Sequence, residues 1–151
     1  MSETIFEAIR DDHETQRTLG KLLLETEGAS EGRKELYAKL KAELIAHAAA
    51  EERYFYVPLM ERDLTQDAAR HSVAEHKELD DFIEKLDEYD MSSSQWLLTA
   101  RELVDRLEHH LDEEETEVFP VAGKALPDEH KSELAAAYRA DMERHQRELV
   151  G

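Results

Sequence analysis

Two segments of the chain repeat a pairing of histidine with glutamate that can bind a metal ion. Glu51 follows His47 by four residues, and Glu114 follows His110 at the same spacing. On an α-helix, residues four apart lie on one face about one turn from each other, so a single ion can contact both side chains. Imidazole and carboxylate form a nitrogen and oxygen ligand set that suits iron or manganese and, less specifically, zinc.

Long segments with helical periodicity carry these pairs. Apolar residues recur three or four apart in segments that run from about Glu3 to Glu27, from about Arg33 to Met60, from about Thr65 to the break at Asp90–Ser94, and from that break to Pro120. Pro58 is expected to kink or end the second helix. A shorter segment runs from Pro127 to about Leu149. Because short connections place long helices antiparallel, the sequence predicts an all-α, up-down-up-down four-helix bundle with a short C-terminal extra helix.

Four histidines, one in each long helix, stand where the periodicity calls for an apolar residue: His13, His47, His76 and His110. A lone histidine on an apolar face is usually a hydrogen-bonded core residue, but four of them need a common explanation. In an antiparallel helix pair, residues equally far from the connecting turn lie at the same height. The first two have their midpoint at Ser30 and the last two at Ser93, both within predicted connections. All four are therefore predicted to lie at one level of the bundle.

An internal repeat supports this arrangement. An offset of 63 residues relates three pairs: His13 and His76, His47 and His110, and Glu51 and Glu114. Two helical hairpins thus present the same residues about an approximate two-fold axis. Four imidazoles and two carboxylates at one level suffice for two metal ions, with the glutamates as bridges. A ferritin-like site would instead show Glu-x-x-His motifs, and no histidine here has an acidic residue three positions before it.

Two further residues are predicted to lie on the metal-facing stripes. Tyr54 comes three residues after Glu51, so its phenol either fills an open metal position or donates a hydrogen bond beside the site. The symmetry-related residue is Glu117, a carboxylate that is a further candidate for contact with metal.

Other histidines offer alternatives that fit the pattern less well. His109 and Glu113 form an alternative register to His110 and Glu114, but only the latter keep the repeat. His71 lies about 140° around the helix from His76, at 100° per residue, and would need a local π-bulge to reach the site. In the C-terminal segment, His130 is expected in solvent and His145 outside the filled bundle.

These motifs resemble the hemerythrin family in its broad bacterial form, the HHE cation-binding domain. The resemblance covers residues 3–122 and rests on Asp-Asp-His at 11–13, His-x-x-x-Glu-Glu ending in Tyr-x-Pro at 47–58, Glu-His at 75–76, and His-His-x-x-Glu-Glu-Glu ending in Phe-Pro at 109–120. It implies one hemerythrin-like domain over residues 1–151, with the bundle at about 3–122 and the extra helix at about 127–149. It also implies a non-haem centre of two iron ions, bridged by carboxylate and by oxo or hydroxo groups, that meets O₂, peroxide or nitric oxide.

The sequence departs from the oxygen-carrying members of that family. Those proteins use a His-x-x-x-His pair in the third helix and, in the fourth, a histidine followed five residues later by aspartate. Here Ser72 stands one turn before His76, and the fourth helix offers only glutamates five residues after its histidines. An iron that lacks one nitrogen ligand has an extra open position, which favours turnover over reversible binding of O₂.

Three functional hypotheses are consistent with this pattern. The first is a di-iron protein that reacts with small oxidants, as a catalase- or peroxidase-like enzyme or one that metabolises nitric oxide. The second is a protein that binds, senses or stores O₂ or iron without turnover. The third is an interaction module whose histidines are only core residues.

The amino-acid composition limits the classes of partner that the protein is expected to bind. The chain has 37 acidic and 19 basic residues, a net charge of −18 and no cysteine. A surface this acidic repels phosphate backbones and anionic lipid. Nucleic acid and membranes are therefore not expected as partners, and a small-molecule ligand is favoured. The lack of cysteine rules out disulfides and thiolate metal sites. No basic-then-apolar segment opens the chain, so a cytoplasmic location is expected. The sequence does not indicate an oligomeric state.

Overall fold

A computed structural model describes residues 3–150 of the chain, and these residues form only helices and short connections. The α-helices are α1 (Ile5–Leu24), α2 (Glu31–Glu51), α3 (Val57–Met60), α4 (Gln66–Glu88), α5 (Ser94–Glu113), α6 (Phe119–Ala125) and α7 (Asp128–Val150). A π-helical turn joins α2 to α3 at Glu52–Tyr56, and a second joins α5 to α6 at Glu114–Val118. No helix of the described part is both long enough and apolar enough to cross a membrane.

Side-chain caps fix where the long helices begin. Thr4 caps α1 and forms a reciprocal capping box with Glu7. The hydroxyl of Ser30 accepts a hydrogen bond from the amide of Arg33 at the start of α2, and Ser93 does the same for Trp96 at the start of α5. Ser30 and Ser93 are also the midpoints between the paired histidines. Because these short turns reverse the chain, α1 packs antiparallel to α2, and α4 to α5.

Each π turn ends two residues before a proline, Pro58 or Pro120. Pro58 was expected to kink or end the second helix; the regular α-helix gives way to the π turn just before Pro58, and the helix ends at Met60. The amide of Val57 donates to the carbonyl of Glu52 five residues earlier, and Phe119 does the same to Glu114. Proline lacks an amide hydrogen, and its ring clashes with the carbonyl four residues before it. The wider turn accommodates this loss without ending the helix.

Helix α7 is longer than a short appendage, since it is as long as α4. It packs lengthwise against α1 and α2 and also contacts the first π turn. Buried Ala135, Tyr138 and Met142 on α7 belong to the same apolar cluster as Ile5 and Ile9 on α1. One side of the four-helix bundle is therefore covered by a fifth helix.

Two apolar clusters pack above and below the level of the four histidines. One surrounds Phe55 and Phe119 and includes the inner face of α7. The other surrounds Trp96, whose indole NH donates to the carbonyl of Leu86 at 3.1 Å. The guanidinium of Arg33 lies 4.9 Å from the Trp96 ring, which closes this end of the bundle. The polar layer is thus held between two dry layers that fix its height.

Candidate metal centre

The side chains of the six predicted metal ligands meet in the middle of the bundle, and all six are buried: His13, His47, Glu51, His76, His110 and Glu114. They form two groups in which the ligand atoms lie within 4.8 Å of one another. The first group contains His13, His47, Glu51 and Glu114, and the second contains Glu51, His76 and His110. Because Glu51 belongs to both groups, it is placed to bridge two ions.

Each glutamate faces one histidine of its own helix and one from the other helical hairpin. A carboxylate oxygen of Glu51 lies 3.4 Å from Nε2 of His47 and 3.0 Å from Nε2 of His76. A carboxylate oxygen of Glu114 lies 3.1 Å from Nε2 of His13, and its other oxygen lies 3.9 Å from Nε2 of His110. Two ligand atoms that each lie about 2.1 Å from one ion are roughly 3.0 to 3.4 Å apart. Three of the four distances therefore suit shared ions, and the longer one, from His110 to Glu114, agrees with the grouping of His110 with Glu51.

Several of these atoms have no hydrogen-bond partner although they are fully buried. They are Nε2 of His13, His47 and His110, both carboxylate oxygens of Glu51, and Oε1 of Glu114. A buried polar atom left unpaired costs about 1–3 kcal/mol. Cations coordinated by these atoms would remove that cost. The donor set, imidazole nitrogen with carboxylate oxygen, fits iron or manganese.

An outer layer of carboxylates contacts Nδ1 of each of the four histidines in the centre. Nδ1 lies 2.6 Å from Glu115 in His13, 3.4 Å from Asp12 in His47, 3.3 Å from Glu52 in His76 and 2.9 Å from Glu75 in His110. With Nε2 bound to metal, Nδ1 carries the hydrogen and donates it to the carboxylate. Such outer partners fix the orientation of the ring and increase its strength as a ligand.

The outer carboxylates obey the same repeat as the ligands, although the sequence reasoning did not single them out. Asp12 and Glu75 are 63 residues apart, and so are Glu52 and Glu115. Each is adjacent in sequence to a ligand, directly before a histidine or directly after a glutamate. Extending the search for the repeat to the neighbours of each ligand would have found all four.

The predicted positions of Tyr54 and Glu117 are wrong. The Tyr54 side chain is half-buried against the apolar cluster, under the guanidinium of Arg53, and Glu117 is exposed. Each lies within a π turn, which inserts about one extra residue and rotates the side chains after it by roughly 100°. The residue that returns to the site is thus five after the glutamate rather than three.

Tyr56 and Phe119 occupy the positions that Tyr54 and Glu117 were predicted to hold. Tyr56 is fully buried, and its hydroxyl donates a hydrogen bond to Glu114. The Phe119 ring lies parallel to that of His13 with the centroids 6.1 Å apart. The two are themselves 63 residues apart, so the approximate two-fold axis places a phenol on one side and a phenyl ring on the other.

The remaining histidines lie outside the centre. The side chains of His71 and His109 are both 60% exposed and contact Glu113 rather than a ligand. Helix α4 is regular around His71, without the π-bulge that would turn it inward. His130 is exposed, and His145 pairs with Asp141 on α7 at 3.3 Å.

Burial and mutual proximity shift the protonation of the metal-free site. Burial and the neighbouring Glu51 carboxylate raise the pKa of Glu114 well above its ordinary value. Burial also opposes the charged form of His47, but the charge of Glu51 and the hydrogen bond with Asp12 outweigh it and raise the pKa of His47 to about 10. In the outer layer, the hydrogen bond with His13 lowers the pKa of Glu115 to about 2. Protons therefore occupy positions from which metal ions must displace them.

A small cavity adjoins the centre near the two-fold axis. Its lining residues are Gln16, Leu44, His47, Ala48, His76, Leu79, Asp80, Leu107 and His110. Its volume is about 10 Å³, which is enough for about one water-sized molecule. Gln16 is fully buried, and neither atom of its side-chain amide has a hydrogen-bond partner. The cavity is thus a small, mainly apolar space with an amide available to a guest.

Comparison with known proteins agrees with this geometry. The chain matches the family profile described as the hemerythrin HHE cation binding domain over residues 4–122. It also superimposes on the crystal structure of a hemerythrin HHE cation binding domain-containing protein from Mycobacterium kansasii, with a TM-score of 0.86 and 25% identity, covering 96% of this chain and 88% of that one. No curated protein sequence matches significantly. The chain therefore belongs to the hemerythrin family as an HHE cation-binding domain.

Proposed function

We propose that the protein holds two non-haem iron ions and reacts with hydrogen peroxide, in a catalase- or peroxidase-like manner, with nitric oxide and O₂ as related small ligands. The observation that carries this proposal is the pair of ligand groups that share Glu51, next to a cavity with room for one small molecule. A cavity of this size holds about one water molecule, so it excludes any substrate much larger than a small diatomic or triatomic molecule.

The two ligand groups are unequal, which favours one ion as the reactive one. The first group offers two imidazoles and two carboxylates, and the second offers two imidazoles and the shared Glu51. Ser72, buried beside His76, stands where a further histidine would complete the second group. An ion in the second group keeps a position for an exogenous ligand, and both of its histidines line the cavity.

Iron bound there would supply the redox chemistry, and the protein residues would control what reaches it. Leu44, Leu79 and Leu107 keep the cavity apolar and limit the number of water molecules. The Gln16 amide is free to donate a hydrogen bond to a guest in the cavity. On the opposite side, the Tyr56 hydroxyl donates a hydrogen bond to Glu114 and so holds that carboxylate in place.

The proposal is tested by the rate of peroxide consumption after iron loading. We expect the wild-type protein to release O₂ from peroxide, or to oxidise a phenolic donor, far faster than His110→Ala with the same iron content. His130→Ala removes an exposed histidine and serves as the control, with an unchanged rate. If His110→Ala consumed peroxide as fast as the wild type, the reaction would not occur at this centre.

Reversible binding of O₂, or binding, sensing or storage of iron without turnover, is the second candidate. It is favoured by the burial of all six ligands and by the leucine lining of the cavity, because a dry site slows the loss of reduced oxygen species. Exposure of the reduced protein to O₂ and then to vacuum separates the two candidates. A spectrum that returns fully, with no peroxide consumption, supports reversible binding over turnover.

A further inference from the structure

The two sides of the centre differ at positions that the internal repeat makes equivalent. Offsets of 63 residues relate His71 to Ala8, His109 to Ala46 and Glu113 to Ala50. The three alanines are fully buried and share an apolar cluster with residues of α7. On the other side, the two histidines and the glutamate face a surface groove. The side that α7 leaves uncovered thus carries imidazoles and a carboxylate in place of methyl groups.

These surface residues repeat the pattern of the central ligands. His71 and Glu75 are four residues apart on α4, and His109 and Glu113 are four apart on α5. The pairs face each other across the two helices. Nε2 of His71 lies 3.0 Å from Oε1 of Glu113 and 3.7 Å from Oε2 of Glu75. Nε2 of His109 lies 3.1 Å from the other oxygen of Glu113. The ligand atoms of His71, Glu75 and Glu113 are thus close enough together to coordinate one ion.

We propose that His71, Glu75 and Glu113 form an outer binding site for a divalent transition metal ion, with His109 holding Glu113 from the side away from the ion. The ligand atoms of His71, Glu75 and Glu113 lie within 4.8 Å of one another, and His109 contacts the other oxygen of Glu113. The imidazole of His71 distinguishes this set from an ordinary acidic surface and favours transition metals over magnesium and calcium. The groove, with a volume of about 530 Å³, leaves space for water ligands.

Glu75 links the outer site to the centre. Its Oε1 accepts the hydrogen bond from Nδ1 of His110 at 2.9 Å, while its Oε2 faces His71. An ion in the outer site withdraws charge from this carboxylate and weakens its hydrogen bond with His110, and therefore the ligand strength of that histidine. The outer ion thus lies only two side chains from the less completely ligated half of the centre. This coupling rests on the proposed function, whereas the outer site itself does not.

The test is a titration of the full-length apoprotein with Co²⁺, with bound metal measured by equilibrium dialysis. We expect the wild type to bind one more ion per chain than the double variant His71→Ala, His109→Ala. The control His130→Ala should bind as many ions as the wild type. Equal stoichiometry in the wild type and the double variant would overturn the proposal. Since both replaced side chains are mostly exposed, the double variant should keep its fold, which circular dichroism checks.

Two further measurements separate the outer site from the central one. His110→Ala should still bind the ion that the double variant loses. If the centre bound no metal at all, the wild type would still take up one ion and the double variant none. Nuclear magnetic resonance with paramagnetic Co²⁺ gives a direct view, since the imidazole signals of His71 and His109 should broaden or shift before that of His130. Equal broadening of all three would indicate diffuse attraction to the acidic surface and would also overturn the site.

Discussion

The two helical hairpins supply the same candidate ligands, yet the two sides of the metal centre are covered by different structure. On one side α7 covers the bundle, and Tyr138 contacts both Nδ1 of His47 and the carboxylate of Asp12. On the other side the equivalent pair, His110 and Glu75, is bordered by the open groove. A single added helix therefore separates a sealed half from a half that solvent and ions approach.

The charges around the outer carboxylates differ in the same way. Glu115 accepts from Arg17 at 3.1 Å, and its side chain is 15% exposed. Its counterpart Glu52 is 42% exposed, and the repeat places Asp80 where the first half has Arg17. One carboxylate is clamped by a cation, and the other borders solvent. The two halves of the near-symmetric ligand set thus differ in how firmly their outer carboxylates are held.

The largest expected effect is the dependence of metal affinity on pH, since the sealed half must lose protons to bind an ion. At pH 7 His47, with a pKa of about 10, is protonated in the metal-free protein, and burial beside Glu51 raises the pKa of Glu114 in the same direction. We expect metal binding to release at least the proton of His47, so affinity should rise about tenfold per pH unit for that proton. A pH indicator in weakly buffered solution measures the release, with His130→Ala as an unchanged control. Binding without proton release would contradict these protonation states.

The raised pKa of His47 also predicts how the stability of the metal-free protein depends on pH. The folded-state pKa of His47 lies above its ordinary value of about 6.5. His47 therefore stabilises the fold fully below about pH 6.5, and this contribution is lost as the pH rises through about 10. Urea unfolding of the apoprotein between pH 6 and 10 should show this decline, and the variant His47→Gln should show less of it.

Removal of the Tyr138 side chain should cause the next largest change, because it opens the sealed half. Tyr138, on α7, is fully buried against His47 and Asp12. We expect Tyr138→Ala to lower the free energy of unfolding by about 3–5 kcal/mol and Tyr138→Phe by about 1–3 kcal/mol. Urea denaturation measures both. The half-buried Tyr54 supplies the matched control, and an equal loss for Tyr54→Ala would show that α7 contributes no special support.

The loss of metal affinity on replacing an outer carboxylate should depend on how firmly that carboxylate is held. Glu115→Gln removes the 2.6 Å partner of His13 and should weaken metal binding by about 10–100-fold. Glu52→Gln removes a longer contact to His76 from a more exposed side chain, so the loss should be smaller, near tenfold or less. Competition with a chelator of known affinity gives both values. The reverse order would show that the two halves are not divided as the exposure of these side chains indicates.

The positions of the candidate ligands could be predicted from the sequence because helical spacing and the places where the chain reverses determine them. Helical spacing puts His47 and Glu51 on one face, and the caps at Ser30 and Ser93 fix where the helices reverse, so the paired histidines meet at one height. The π turns were not predictable from periodicity, since a single inserted residue leaves the apolar pattern almost unchanged. Tyr138 was missed for another reason: its contact with His47 spans 91 residues and depends on how α7 packs.

The smallest expected effect tests the corrected register of the π turns. Tyr56→Phe removes one hydrogen bond to Glu114 and should cost about 1 kcal/mol of stability. It should also change the absorption of the metal-loaded protein, because a candidate metal ligand loses its partner. Tyr54→Phe removes a hydroxyl from a ring that packs away from the centre and should leave that absorption unchanged. The two variants differ from the wild type by the same atom, two residues apart, so general effects on folding cancel. A spectral change in Tyr54→Phe alone would restore the regular helical register and remove the basis for placing Tyr56 beside the metal.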